Sequence, residues 1–155
     1  MNDEVIEPVE GEAVNEPALP PVQLVQSNDI DWHLANLVAL TNRIPGVSIG
    51  ITLTIGGTLV SGLLISGKEY FDSLALELSK DSENTLSMAI AEEMKNISNS
   101  IYDSNLERGH VSTVYIHLKK ARHYTGDKSI PNDGAYWRGK LCDVSGFTFG
   151  SLNKD

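Results

Sequence analysis

The chain has 155 residues, 41% of them hydrophobic, and its 21 acidic against 12 basic side chains leave a net charge of −9. That length fits one domain, or one domain with a tail. The apolar share excludes global disorder, and the acid excess disfavours general nucleic-acid binding because phosphate repels it. No apolar run reaches the roughly 18 residues of a membrane helix, and Met1-Asn2-Asp3-Glu4 lacks the segments of a signal peptide, so a soluble cytoplasmic protein with no membrane partner is expected.

Residues 1–26 hold six acids, no base and four of the six prolines. Such a stretch buries too little apolar surface to offset its ordering entropy. We expect a disordered, acidic, Pro-containing arm over 1–26 and a single α+β domain over 27–155. Within that domain, residues 27–107 carry a net −7 and residues 108–140 a net +5.

Ser27-Asn28-Asp29 offers helix N-cap residues. Ile30, Leu34, Leu37, Val38, Thr41 and Ile44 follow with helical spacing, and Pro45-Gly46 stops the helix. Val47, Ile49, Ile51, Leu53 and Ile55 then alternate with small polar residues, which predicts a strand. Gly56-Gly57 suits a two-residue hairpin turn. The return strand, Thr58 to Ser66, is apolar on both faces, so it is either buried twice or twists at Gly62.

Tyr70, Leu74 and Leu78, with Phe71 beside them, predict a second helix. Asp81-Ser82 can cap a third, whose stripe is Leu86, Ile90, Ile97 and Ile101, with Met94 alongside. Val114, Ile116 and Leu118 alternate with Tyr115 and His117 as a strand. Lys119 to Thr125 reads as a polar edge strand, and Gly126 to Gly134 as a loop. Two last strands fall near 135–142 and 144–152. The order predicts α+β with antiparallel strands: an N-terminal helix, then a sheet or small Sm-like or SH3-like barrel, with two helices inserted midway.

Little of this carries chemistry. Gly62 to Glu69 nearly fits the phosphate-binding pattern G-x-x-x-x-G-K-[ST], but Glu69 stands where a Mg²⁺-ligating hydroxyl is needed. Strand end followed by helix start is the better reading. His33, His110, His117 and His123 lack metal-ligand spacing, and Cys142 has no activating signature, so it is expected as a buried or half-buried thiol. No catalytic residue, metal site or cofactor is expected. Lys119, Lys120, Arg122, Lys128, Arg138 and Lys140, with Trp137 and neighbouring tyrosines interleaved, form the candidate interaction segment. A small barrel binding single-stranded nucleic acid through residues 119–140 is the alternative it allows; the net charge favours balancing acidic regions of the same or a neighbouring molecule.

Five blocks occur in order over about residues 47–152. The first runs from Gly56-Gly57 through Ser61-Gly62 to Ser66-Gly67-Lys68-Glu69-Tyr70-Phe71-Asp72. Ile116-His117-Leu118-Lys119, Gly126-Asp127, Trp137-Arg138-Gly139-Lys140 and Val144-Ser145-Gly146-Phe147-Thr148-Phe149-Gly150 follow. Together they resemble the gas vesicle accessory protein U family. Physically the blocks read as turn glycines, core aromatics and strand residues, with Gly56, Gly57, Gly62, Lys68, Tyr70, Phe71, Asp72, Phe147 and Gly150 as structural positions. The acidic arm has no counterpart in the family pattern, and residues 82–107 match it loosely.

The resemblance implies a non-catalytic accessory protein of gas-filled protein shells, associated with their clustering and with self-association rather than with forming the wall. It implies gas vesicle proteins or the vesicle surface as partners, and a homo-oligomer, in the cytoplasm and associated with vesicles.

Overall fold

The computed structural model describes residues 30–102 and 114–152. The acidic arm lies outside them. Helix α1 (Trp32–Arg43) is capped by Asp31, whose carboxylate accepts the His33 and Leu34 amides at 2.8 and 3.0 Å. The cap thus falls two residues beyond the Ser27-Asn28-Asp29 cluster. Strands β1 (Ile49–Ile55) and β2 (Thr58–Ile65) form a hairpin across Gly56-Gly57, with positive φ at both glycines, as a tight primed turn requires.

Helices α2 (Gly67–Leu78) and α3 (Thr85–Ile97) follow, with a π-helical turn Ser98–Tyr102 extending α3. Asn84 caps α3, not Asp81-Ser82, and its side chain accepts the Leu86 and Ser87 amides at 3.1 Å. Strands β3 (Tyr115–Thr125), β4 (Lys128–Lys140) and β5 (Val144–Phe149) complete an antiparallel sheet of order β4-β3-β2-β1-β5. The fold is α+β, with one helix before the sheet and two inserted between β2 and β3.

Only the one-turn helix Leu141–Asp143 joins the two edge strands, β4 and β5. In a flat sheet those edges would stand about 19 Å apart, four strand spacings. A 3-10 turn of three residues spans roughly 6 Å. The sheet must therefore roll toward a small barrel, and the rolled inner face receives α1. Leu34 and Val38 of α1 meet Ile51, Leu53, Val60, Leu64, Ile116 and Leu118, each no more than 2% exposed.

Residues Lys119 to Thr125 are not an edge. They continue β3, between β2 and β4. The ladder shifts register opposite Gly62, where Lys120 adopts φ 52°. A Cβ on Gly62 would stand 3.0 Å from Ala121 Cα, so the glycine admits this bulge. The expected loop at 126–134 is partly strand: Lys128, Ser129 and Ile130 pair with β3, and the chain bulges out only between Ile130 and Ala135.

Candidate interaction surface

The block Ser66 to Asp72 fastens the helical hairpin to the sheet, residue by residue. Ser66 Oγ caps α2 by accepting the Glu69 amide. The Gly67 amide donates to Asn42 Oδ1 of α1 at 2.8 Å. A Cβ on Gly67 would stand 2.2 Å from the Tyr102 ring, so the ring needs the bare backbone to lie where it does. Lys68 pairs with Asp72 one turn on (3.3 Å), and Asp72 accepts a hydrogen bond from Ser98 Oγ (2.7 Å) at the end of α3. The Glu69 carboxylate accepts from Lys119 Nζ of β3 at 2.7 Å. The near-match to a phosphate loop is therefore strand end and helix start, with its lysine and glutamate both in ion pairs.

Tyr70 and Phe71 close on His117. With Tyr102 they surround the imidazole at ring-centroid distances of 4.8, 5.9 and 5.5 Å. His117 is 1% exposed, and neither ring nitrogen has a hydrogen-bond partner. Burial, with the Arg138 charge adding to it, lowers its pKa to about 3. At neutral pH the ring is uncharged, and it packs among the three aromatic rings. Burial also raises the Tyr70 phenol above its usual value, against a smaller opposing effect of Arg138.

The candidate interaction residues divide between the faces of the β3–β4 hairpin. Trp137 stands opposite Leu118 and packs against the core; its ring lies where a Cβ on Gly139 would be, 2.2 Å away, which accounts for the Trp-x-Gly spacing. Arg138 stands opposite His117 on the other face, its guanidinium 3.4 Å from the Tyr115 ring centroid, a cation–π contact. Lys119 is held by Glu69, and Arg122 Nε donates to the Asn132 carbonyl at 2.9 Å. Lys120, Lys128, Arg138 and Lys140 are exposed.

The last block anchors the chain end. Thr52 Oγ1 donates to the Gly150 carbonyl (2.9 Å) and lies 2.8 Å from Ser61 Oγ. A hydroxyl has one proton, so Ser61 is the donor between them, while it accepts the Leu152 amide at 2.7 Å. Gly150, at φ 97°, lets the chain turn back across the sheet. Phe147 and Phe149 of β5 gather with Trp32 and His33 of α1 in an aromatic cluster. Phe149 is 62% exposed and Trp32 48%. Cys142 is exposed, not buried. Among the described residues no group of three or more His, Cys, Asp or Glu is placed to hold a metal ion, and no helix is long and apolar enough to cross a membrane.

The matched blocks thus serve joints: the β1–β2 turn, the bulge, the helical dock, the β3–β4 turn at Gly126 (φ 61°), the Trp–Gly packing and the chain-end anchor. A family model for gas vesicle protein GvpU-like chains matches residues 31–152, the span of the fold itself. The chain belongs to the GvpU-like family. Membership makes it a gas vesicle accessory protein and ties it to gas vesicles. No curated protein and no solved structure matches the chain.

Sequence reasoning missed Asn42, Ser98 and the cage around His117. It also missed an open groove of about 1110 Å³ between α2 and α3. The adjacent aromatics Tyr70-Phe71 were the available signal for the cage. The groove had none, since it depends on how the two helices meet.

Proposed function

We propose that this chain is a non-catalytic accessory protein that acts in gas vesicle assembly or clustering, through contacts with gas vesicle proteins or the vesicle surface and with copies of itself. The observation that supports it most is that the family blocks are engaged in joints of the fold, while apolar surface stays uncovered. Trp32 and Phe149 at one edge, and Leu76, Leu86 and Ile101 on the helical hairpin, are each between 48% and 69% exposed. Exposed apolar clusters of this kind mark protein contacts. The acidic arm and the exposed cations Lys120, Lys128, Arg138 and Lys140 add an electrostatic attraction, within a molecule or between neighbours.

The test is co-expression of a gas vesicle cluster with and without this chain in the cytoplasm. The proposal expects altered vesicle yield, size or clustering when it is missing; no change in any of the three overturns it. Removing residues 1–26 tests the arm separately. Light scattering that falls in the shortened protein, with a flatter salt dependence, supports an interaction role, because exposed pairs are screened beyond about 8–10 Å at physiological ionic strength. Greater aggregation at every salt concentration would make the arm a solubilising tail.

A further inference from the structure

The two edges of the sheet differ. Edge strand β4 carries Lys128, Asp133, Arg138, Lys140 and Pro131, and bulges between Ile130 and Ala135. Charges, proline and bulges keep an edge from pairing. Edge strand β5, Val-Ser-Gly-Phe-Thr-Phe, has no charge and no proline, and among the described residues no strand lies along its outer side. Phe147 and Phe149 stand opposite Leu53 and Ile51, so they project from the sheet face that α1 covers. There they meet His33 at ring-centroid distances of 5.8 and 6.1 Å, and His33 meets Trp32 at 5.4 Å. The cover stops at this rim, with Trp32 48% and Phe149 62% exposed. Strand β5 thus offers both an unblocked edge and an apolar rim.

The chain enters the fold at the same corner. Ile30 packs against the core, one residue before the Asp31 cap and two before Trp32. What precedes it is not evenly acidic. All six acids of the arm fall in residues 3–16, and residues 17–28 carry no charge. After Pro20-Pro21 comes Val22-Gln23-Leu24-Val25-Gln26, free of proline. Val22 and Leu24, two residues apart, share one face of an extended chain, as Phe147 and Phe149 do on β5. Five extended residues cover about 17 Å against about 20 Å for β5. From Gln26 to Ile30 the chain reaches about 13 Å, more than the distance from one strand to the next.

We propose that residues 22–26 of the chain's own arm lie along β5 as a sixth strand, with Val22 and Leu24 over Trp32 and Phe149. The recognition mode is strand addition, in which main-chain bonds give affinity and alternate side chains give specificity. An uncharged segment suits an uncharged edge, and the acidic residues 3–16 are left outside the contact. The tether of three residues, Ser27-Asn28-Asp29, holds the segment at an effective concentration of order millimolar, so a strand from a second copy or another protein has to displace it. The helical hairpin then remains the open apolar surface. The inference concerns the free chain and is independent of the vesicle role.

The experiment follows backbone amide exchange of the full chain by NMR. A strand paired on one side has every second amide hydrogen-bonded to its neighbour. The wild type is expected to slow alternate amides of residues 22–26 at least about tenfold relative to those of residues 3–16, after correction for intrinsic rates and at every protein concentration. Leu24→Lys changes no residue of the described fold, and Phe149→Lys alters an exposed side chain of the edge, with circular dichroism as the check on folding. Each variant should abolish the slowing, and Leu24→Lys should also make Trp32 fluorescence easier to quench with acrylamide. Amides of residues 22–26 that exchange as fast as those of residues 3–16, or slowing that persists in Leu24→Lys, overturn the proposal. Slowing that disappears on dilution overturns it too, because a second copy would then supply the strand.

Discussion

The rolled sheet and the α2–α3 hairpin are built on different terms. Seven strand side chains and two from α1 meet in the inner core at 0–2% exposure. The two inserted helices together bury Gly67, Phe71, Ala75 and Ala91. They are held by a short set of joints: the Asn42 bond, the Glu69–Lys119 pair, the Ser98–Asp72 bond and the ring cage on His117. Elements with few buried contacts open locally well before the whole domain unfolds. The sheet is thus the more tightly packed region, and the hairpin, like the Trp32–Phe149 edge, leaves large apolar side chains exposed.

The largest expected effect separates the two regions by truncation. Leu64→Ala, at a position with 0% exposure, should cost about 2–5 kcal/mol in urea unfolding. Ile90→Ala, at a half-buried position of α3, should cost under about 1 kcal/mol. Equal losses would break the comparison.

Acid should act at the joint. The His117 pKa is about 3 in the fold and near 6.5 in an open chain. The unfolded chain therefore binds the proton more readily. The stability held by the neutral ring is complete above pH 6.5 and is lost as pH falls from 6.5 toward 3, at about 1.4 kcal/mol per unit. His117→Leu removes two unsatisfied nitrogens and should stabilise the protein at neutral pH by about 1–3 kcal/mol. Melting temperatures from pH 7 to 4 should fall less steeply in the variant than in the wild type. Parallel curves would take the histidine out of the account.

The strands and the α+β order were legible because alternation reports directly on a two-faced sheet. The helices were less so. Periodicity finds the apolar stripe of a helix but not the neighbour that covers it: Ile90 and Ile97 are half-buried, Leu86 is 69% exposed, and Ala91, off the stripe, is the buried residue of α3. In α2 the buried line is Phe71 and Ala75, one position on from Tyr70, Leu74 and Leu78. The polar run after Leu118 read as an edge because Lys119 and Arg122 are charged. In the fold an ion pair to Glu69 and a bond to the Asn132 carbonyl hold those charges inside the sheet. Lys120 at positive φ leaves no mark in sequence. The family blocks were legible as glycines and aromatics, but the cage joining Tyr70, Phe71 and Tyr102 to His117 reaches from residue 70 to residue 117 and appears only in three dimensions.

Smaller changes sharpen the comparison further. Gly67→Ala pushes a methyl into the Tyr102 ring and should cost about 1–3 kcal/mol. The π-turn and α3 amides should then exchange faster with solvent while those of β1 and β2 keep their rates. Faster exchange throughout would mean that hairpin and sheet form one cooperative unit. Glu69→Gln removes a pair whose side chains are each about a quarter exposed, and should cost no more than about 1 kcal/mol at low salt, shrinking as salt rises.

The most direct measurement is hydrogen–deuterium exchange of the full chain, free in dilute solution and bound to isolated gas vesicles. The free protein should protect β1 and β2 through to global unfolding, while α3 opens locally. On vesicles the α2 and α3 amides should gain protection and β1 and β2 should stay as they were. An α3 already as protected as β2 in the free protein, or bound-state protection that spares the hairpin, would contradict the account.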